Sequence, residues 1–95
     1  MSKVIYKYVL PMSHCGKVIH RGKFNKLLAI KNQDGQGIQM WCEIDNNNEE
    51  LDMTIIAIGT GNPFEAKENW SYAGTAIDDM GFVWHYYTSL KKVGT

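Results

Sequence analysis

The stretch IIAIGTGNPFE, residues 55–65, decides the fold of this chain. An unbroken apolar run that stops at a glycine turn is typical of a buried strand covered on both faces. A helix-start signature follows, because Asn62 can cap a helix, Pro63 suits its first position and Glu65 lies three residues after the cap. The stretch therefore predicts a central strand, a tight turn and a short helix over 63–68.

Six other segments, rich in β-branched and aromatic residues and bounded by turn residues, also predict strands. The first ends at Pro11 and is expected at a sheet edge, and Asp34-Gly35 marks a hairpin turn. The predicted strands span 4–10, 17–20, 27–31, 38–44, 53–58, 70–77 and 82–87. They indicate a mainly β protein, a small antiparallel sandwich or partly open barrel of about seven short strands with one short helix. Residues 1–95 are expected to form a single β-rich domain.

Charge and composition narrow the expected partners. Ten basic and ten acidic residues cancel, and Arg21 is the only arginine. Long nucleic acids require clustered cations, so they are not expected as partners. No apolar run is long enough to span a membrane, and no secretory signal opens the chain, so we expect a cytoplasmic protein without a membrane partner. The scattered histidines match no common zinc motif, so neither a metal nor a cofactor is expected.

The turn at Gly59, Thr60 and Gly61 is the first candidate for function. Glycines allow the backbone to approach a ligand closely, and nests of backbone N–H groups bind phosphate without arginine. Asn62 follows in the same turn, and the Thr60 hydroxyl adds a donor. The alternative is that these glycines only end a strand tightly.

The aromatic residues are the second candidate. On the last predicted strand, His85 and Tyr87 share one face and Trp84 lies on the other. An exposed set of this kind can stack on a base and hydrogen-bond its edge, whereas the alternative is that the rings fill the core or an oligomer interface. The candidate ligand-binding residues are Gly59, Thr60, Gly61, Asn62, Trp41, Trp84, His85, Tyr87 and Arg21.

Catalysis has little support in the sequence. Asp78 and Asp79 are neighbours in a tight turn, where bonding to turn backbone accounts for them. Cys15 with a histidine could imitate a nucleophile–base pair, but no feature of the sequence supports a third, orienting group. Cys42 lies in an apolar strand pattern. No catalytic residues are therefore assigned, and the protein is not expected to be an enzyme.

Five short motifs, in their order and spacing, resemble a family of small uncharacterised proteins found mainly in bacteriophages and prophages. The similarity covers roughly Val4 to Tyr87, and Asn62 stands where many members have histidine, which argues against a histidine-based role at that turn. The motifs are Ile5-Tyr6-Lys7-Tyr8, Trp41, Gly59-Thr60-Gly61 with Pro63, Gly74-Thr75 and Val83-Trp84-His85.

The resemblance implies a phage accessory protein made in the host bacterial cytoplasm. By analogy of context, such a protein would antagonise antiviral defence by sequestering a nucleotide-type immune messenger, a cyclic oligonucleotide or cyclic ADP-ribose derivative. A small domain does not enclose such a ligand alone, so a homo-oligomer is expected. The alternative is a protein-interaction module that binds and inhibits a host protein, and an enzyme that degrades the messenger is a weaker third.

Overall fold

In the computed structural model, which describes residues 2–94, seven antiparallel strands form two sheets. The strands are β1 (Lys3–Val9), β2 (Gly16–Gly22), β3 (Phe24–Asn32), β4 (Ile38–Asp45), β5 (Leu51–Gly59), β6 (Ser71–Ile77) and β7 (Val83–Lys92). The three-stranded sheet has the order β1-β4-β3 and the four-stranded sheet the order β2-β5-β7-β6. The predicted mainly β, antiparallel architecture is confirmed. Between residues 2 and 94 the two sheets do not close into a barrel. The same residues contain no helix long and apolar enough to cross a membrane.

The predicted short helix over 63–68 is wrong, because the described residues contain no helix. Asn62 bonds back to the end of β5 instead of capping a helix. Its backbone N–H and its side-chain NH₂ group both donate to the Gly59 carbonyl, at 3.2 and 3.3 Å. Gly61, with φ of 87°, occupies the third position of a type II turn. A helix cap contributes about 1 kcal/mol, and the partial burial of two aromatic side chains, Phe64 at 42% exposure and the half-buried Trp70, is enough to offset its loss. The chain after the turn packs these side chains on the sheet instead of forming a helix.

Residues 63–70, here called the strap, cross the outer face of the four-stranded sheet. The Phe64 and Trp70 rings lie 5.6 and 5.8 Å from the Tyr87 ring of β7. Beside them, Ile56 and Ile58 point away from the sandwich core yet are only 1% and 3% exposed. The prediction that the central strand is covered on both faces is therefore confirmed, although the cover is an irregular segment rather than a helix.

The core lies between the two sheets. In β4 the side chains of Ile38, Met40, Cys42 and Ile44 are all buried, as their alternation predicts. They pack with Tyr86 of β7 in one cluster. Burial raises the pKa of the Cys42 thiol to about 11, and both Cys42 and the exposed Cys15 are free thiols.

The sheet edges differ in regularity. The prediction of an edge position for the first strand is confirmed, and the Asp34-Gly35 hairpin also forms, with both residues at positive φ as a type I′ turn requires. The outer strands β3 and β6 carry register shifts, whereas β1 and β2 pair without interruption. Register shifts hinder further pairing at an edge, so β1 and β2 are the more regular edges of the sandwich, although Lys3, Lys7, Lys17 and Arg21 place charges along them.

Candidate ligand-binding groove

A groove with a volume of about 440 Å³ opens at one end of the sandwich. It lies between the turn that ends β5 and the turn that joins β6 to β7. Sites for small organic ligands commonly have volumes of roughly 300–1,000 Å³. The lining residues are Gly59, Thr60, Asn62, Gly81, Phe82, Val83 and Trp84.

The Trp84 ring forms the apolar wall of this groove and is held by two neighbours. Gly59 lies opposite Trp84 in the strand register, and a Cβ added at Gly59 would lie 3.3 Å from Trp84 Cζ3. Glycine therefore leaves the space that the indole occupies. On its other side, Trp84 Nε1 donates to Asp78 Oδ2 at 2.9 Å, which fixes the orientation of the ring.

Asp78 organises the turn beneath the groove. Its Oδ1 accepts hydrogen bonds from the backbone N–H groups of Met80 and Phe82, both at 2.9 Å. The bond from the Trp84 indole, followed by the backbone donors, lowers the pKa of the Asp78 carboxyl below its ordinary value. One carboxylate therefore positions both aromatic residues of the groove.

The charge on Asp78 predicts a pH dependence of stability. Because its pKa is lower in the folded state, ionised Asp78 stabilises the fold above the ordinary Asp pKa of about 3.9, and this contribution is lost as the pH falls further. Asp78→Asn keeps the oxygen that accepts from the backbone but removes the charge. We expect the wild-type melting temperature to exceed that of Asp78→Asn at pH 7 and the two to converge towards pH 2–3. Thermal melts of both proteins across this range measure the difference, and parallel curves would contradict the assignment.

A hydrogen-bonded chain of four side chains begins at Thr60 in the groove and continues over β7 and β6 outside it. Thr60 Oγ1 is 2.6 Å from His85 Nε2, and Thr75 Oγ1 is 2.9 Å from His85 Nδ1. The Tyr72 hydroxyl bonds to Thr75 Oγ1 in turn. Hydroxyl groups both donate and accept, so they satisfy His85 in either neutral tautomer.

The Thr60–His85 pair has the outline of a nucleophile and its base. Its third member, Thr75, is a neutral hydroxyl rather than the carboxylate that stabilises an imidazolium in hydrolytic triads. The arrangement is thus suited to holding and orienting a polar ligand group more than to driving bond cleavage.

The glycine turn offers fewer backbone donors than its sequence suggests. The Thr60 N–H donates to the Val83 carbonyl at 3.2 Å, and the Asn62 N–H donates to Gly59. Within residues 2–94, the Gly61 N–H is the one donor of this turn that makes no backbone hydrogen bond. A single N–H does not form an anion nest, which needs several converging donors.

Most of the candidate residues meet at this end of the molecule. Gly59, Thr60, Asn62 and Trp84 line the groove, Gly61 lies in the same turn, and His85 is bonded to Thr60. Tyr87 shares the face of His85 but contacts the strap. The remaining two lie elsewhere.

Trp41 and Arg21 are the two candidate residues that lie away from the groove within one copy of the chain. Trp41 points outward from the three-stranded sheet, with Lys31 Nζ 5.5 Å from its ring. Arg21 is paired with Asp52, Nε to Oδ1 at 2.9 Å, near the start of β5. At about 3.4 Å per residue, Asp52 lies roughly 24 Å along β5 from Gly59.

Sequence reasoning missed Phe82, Thr75 and the hydrogen bond that the Trp84 indole donates to Asp78. Phe82 alternates with Trp84 and Tyr86, and this pattern assigns it to the core, whereas the β6–β7 turn carries it out to the groove. Thr75 lies directly opposite His85 in the β6–β7 register, a pairing visible only once the register is known. Within residues 2–94 no three His, Cys, Asp or Glu side chains converge as a metal site.

Comparison with known proteins gives a family and no activity. No curated protein and no solved structure matches the chain. The model of one protein family, a domain of unknown function (DUF7352), matches residues 1–94. This match covers nearly the whole chain, so the protein belongs to the DUF7352 family.

Proposed function

We propose that this protein binds a nucleotide-type second messenger, a cyclic oligonucleotide or cyclic ADP-ribose derivative, and sequesters it without chemical conversion. The observation that carries the proposal is the groove of about 440 Å³, which pairs the Trp84 and Phe82 rings with the polar groups of Thr60 and Asn62. Planar aromatic walls with a few polar groups at the rim suit a nucleobase.

Each side chain has a separate task in this proposal. Trp84 and Phe82 hold the base by stacking, which contributes about 1–3 kcal/mol per base in comparable sites. Thr60 and Asn62 hydrogen-bond the polar edge of the base. His85 acts through Thr60, because their 2.6 Å contact fixes the direction of the hydroxyl.

The biological setting is part of the same proposal. The protein is a phage accessory factor in the host bacterial cytoplasm, where removal of an immune messenger blocks antiviral defence. The resemblance of its motifs to phage and prophage proteins supports this setting. The protein acts as a homo-oligomer, and Trp41 and Arg21 contact ligand only if a second copy brings them to the groove.

Titration calorimetry with a panel of cyclic nucleotides tests the proposal. We expect at least one compound to bind with micromolar affinity, and Phe82→Ala to weaken that affinity tenfold or more because the stacking ring is removed. Phe82 suits this test because its side chain is 58% exposed and contributes little to folding. Tyr6→Ala is the matched control, because this exposed aromatic residue on β1 lies outside the groove and away from the strap. No heat with any compound, or equal weakening by both variants, would refute it.

The same samples distinguish simple binding of the ligand from its hydrolysis by the Thr60–His85 pair. Under the binding proposal, denaturing the complex after prolonged incubation releases intact ligand. Recovery of cleaved ligand, lost in Thr60→Val, would instead assign an enzymatic function to this pair.

The alternative function, inhibition of a host protein, is favoured by the regular edges β1 and β2, which pair without register shifts. Ile5 and Val9 on β1 and Ile19 on β2 are exposed, and a partner strand can add to such an edge. Capture of one stoichiometric host protein that survives high salt and is lost in Ile5→Lys would support this alternative over ligand binding.

A further inference from the structure

A second, smaller cavity lies on the outer face of the four-stranded sheet, beneath the strap. Its volume is about 160 Å³, and strands of the sheet form its floor. In contrast to the groove at Trp84, its lining is dominated by polar and cationic side chains. The lining residues are Lys17, Thr54, Ile56, Lys67, Asn69, Trp70 and Ser89.

The strap is fixed at this cavity by its own contacts. Asn69 Nδ2 donates to Ser89 Oγ at 2.7 Å, and the Trp70 N–H donates to the Lys67 carbonyl at 3.0 Å. The Trp70 ring packs on Tyr87. These contacts hold Lys67 over the sheet, on the face from which Lys17 projects opposite Ile56.

Two cations line this one cavity. Elsewhere on the surface Lys3 lies 3.9 Å from Glu43 and Arg21 lies 2.9 Å from Asp52, whereas other lysines, Lys26 among them, stand singly without an ion pair among residues 2–94. Lys17 and Lys67 form no ion pair among residues 2–94, although the nearby chain carries Glu65 and Glu68. Two ammonium groups that share one cavity repel each other, so an anion between them is favoured.

We propose that this cavity binds a phosphate group, held by the Lys17 and Lys67 ammonium groups. Lysine binds phosphate as a point charge with several donors. The Thr54 and Ser89 hydroxyls, which face each other in the β5–β7 register, supply further donors. This inference rests on the proposed function in one respect, that the ligand carries phosphate. It gives that ligand a cationic contact, which the Gly59–Asn62 turn lacks.

The two cavities together define the ligand class more narrowly. Ile56 and Thr54 lie three and five residues from Gly59 along β5, which corresponds to about 10–17 Å. The cavity lies on the outer face, whereas Trp84 projects from the opposite face of β7, so one ligand that fills both must pass the end of the sheet at Thr60 and carry more than one nucleotide. A single nucleotide, whose phosphate lies close to its base, fills one cavity only.

Pyrophosphate is the probe that tests the cavity by itself. We titrate it at constant ionic strength and follow backbone amide signals by heteronuclear NMR. We expect the signals of Lys67, Asn69 and Trp70 to shift with saturation. Lys17→Gln/Lys67→Gln should weaken the affinity at least tenfold, whereas the control Lys26→Gln, an exposed lysine on β3, should leave it within twofold.

Two results would overturn the inference: shifts of the same size with chloride at equal ionic strength, or equal weakening by Lys26→Gln. Its failure is distinguishable from failure of the proposed function. Nucleotide binding that perturbs Trp84 but is insensitive to Lys17→Gln/Lys67→Gln refutes the phosphate site alone. Pyrophosphate saturation without any cyclic nucleotide binding refutes the proposed function alone.

Discussion

Replacing Ile55 with alanine is expected to lower the free energy of unfolding by about 2–5 kcal/mol, the range for large-to-small changes in a packed core. Ile55 is fully buried in the cluster between the sheets. Its strand is central, with Val18 on one side and Thr88 on the other. The shortened side chain leaves a cavity that these paired strands cannot close. Urea unfolding followed by tryptophan fluorescence measures the loss.

Ile19→Ala is the matched control for this prediction. Ile19 has the same side chain and lies on the neighbouring strand β2, but it is 67% exposed. Truncation there should cost less than about 0.5 kcal/mol, as surface substitutions usually do. If both variants lose the same stability, the core does not lie between the two sheets as described.

Replacing Tyr87 with alanine is expected to release the strap. The Tyr87 ring contacts Phe64, Trp70 and Tyr72, with ring centroids 5.6–5.8 Å apart. Its removal also uncovers Ile56, which lies opposite it in the register. We expect a loss of about 2–3 kcal/mol, towards the lower end for aromatic truncation because the ring is only partly buried. Chemical denaturation gives this value.

Hydrogen exchange on the same variant locates the effect. The Trp70 amide, which donates to the Lys67 carbonyl, should exchange faster in Tyr87→Ala, while the amides of β4 in the other sheet should keep their protection relative to global unfolding. Tyr6→Ala is the control, since Tyr6 lies on the edge strand β1 and is 52% exposed. An unchanged exchange rate in the strap would show that Tyr87 does not anchor it.

The strands were predictable because each carries a local signal. The alternation of β4 and the unbroken apolar run of β5 reflect burial on one face and on two faces, and the structure bears out both. The helix over 63–68 failed because its signal was also local, whereas the strap is positioned by Phe64 and Trp70 against Tyr87, which lies in another strand. Capping patterns carry no information about such distant contacts.

The site was predictable only in part, for a related reason. The glycine turn and the alternation of β7 indicated Thr60, Trp84 and His85. Their contacts depend on the register of β5 against β7, which places Gly59 opposite Trp84. The cavity between Lys17 and Lys67 could not be foreseen, because its two lysines lie 50 positions apart and meet only where the strap crosses the sheet.

The interleaved strand order has a consequence for how the chain reaches its native state. Among the described residues 2–94, β3–β4 and β6–β7 are the two hairpins of adjacent strands, whereas β1 pairs with β4, β2 with β5 and β5 with β7. Each of these three pairings requires a long loop to close, which costs conformational entropy before the strand contacts form. Folding of such topologies is therefore slowed to milliseconds or longer. The two hairpins are the units able to form early. The three-stranded sheet needs only the chain up to Asp45, whereas the four-stranded sheet joins β2 from the first part of the chain to β7 near its end, so it is completed only when most of the chain is in place.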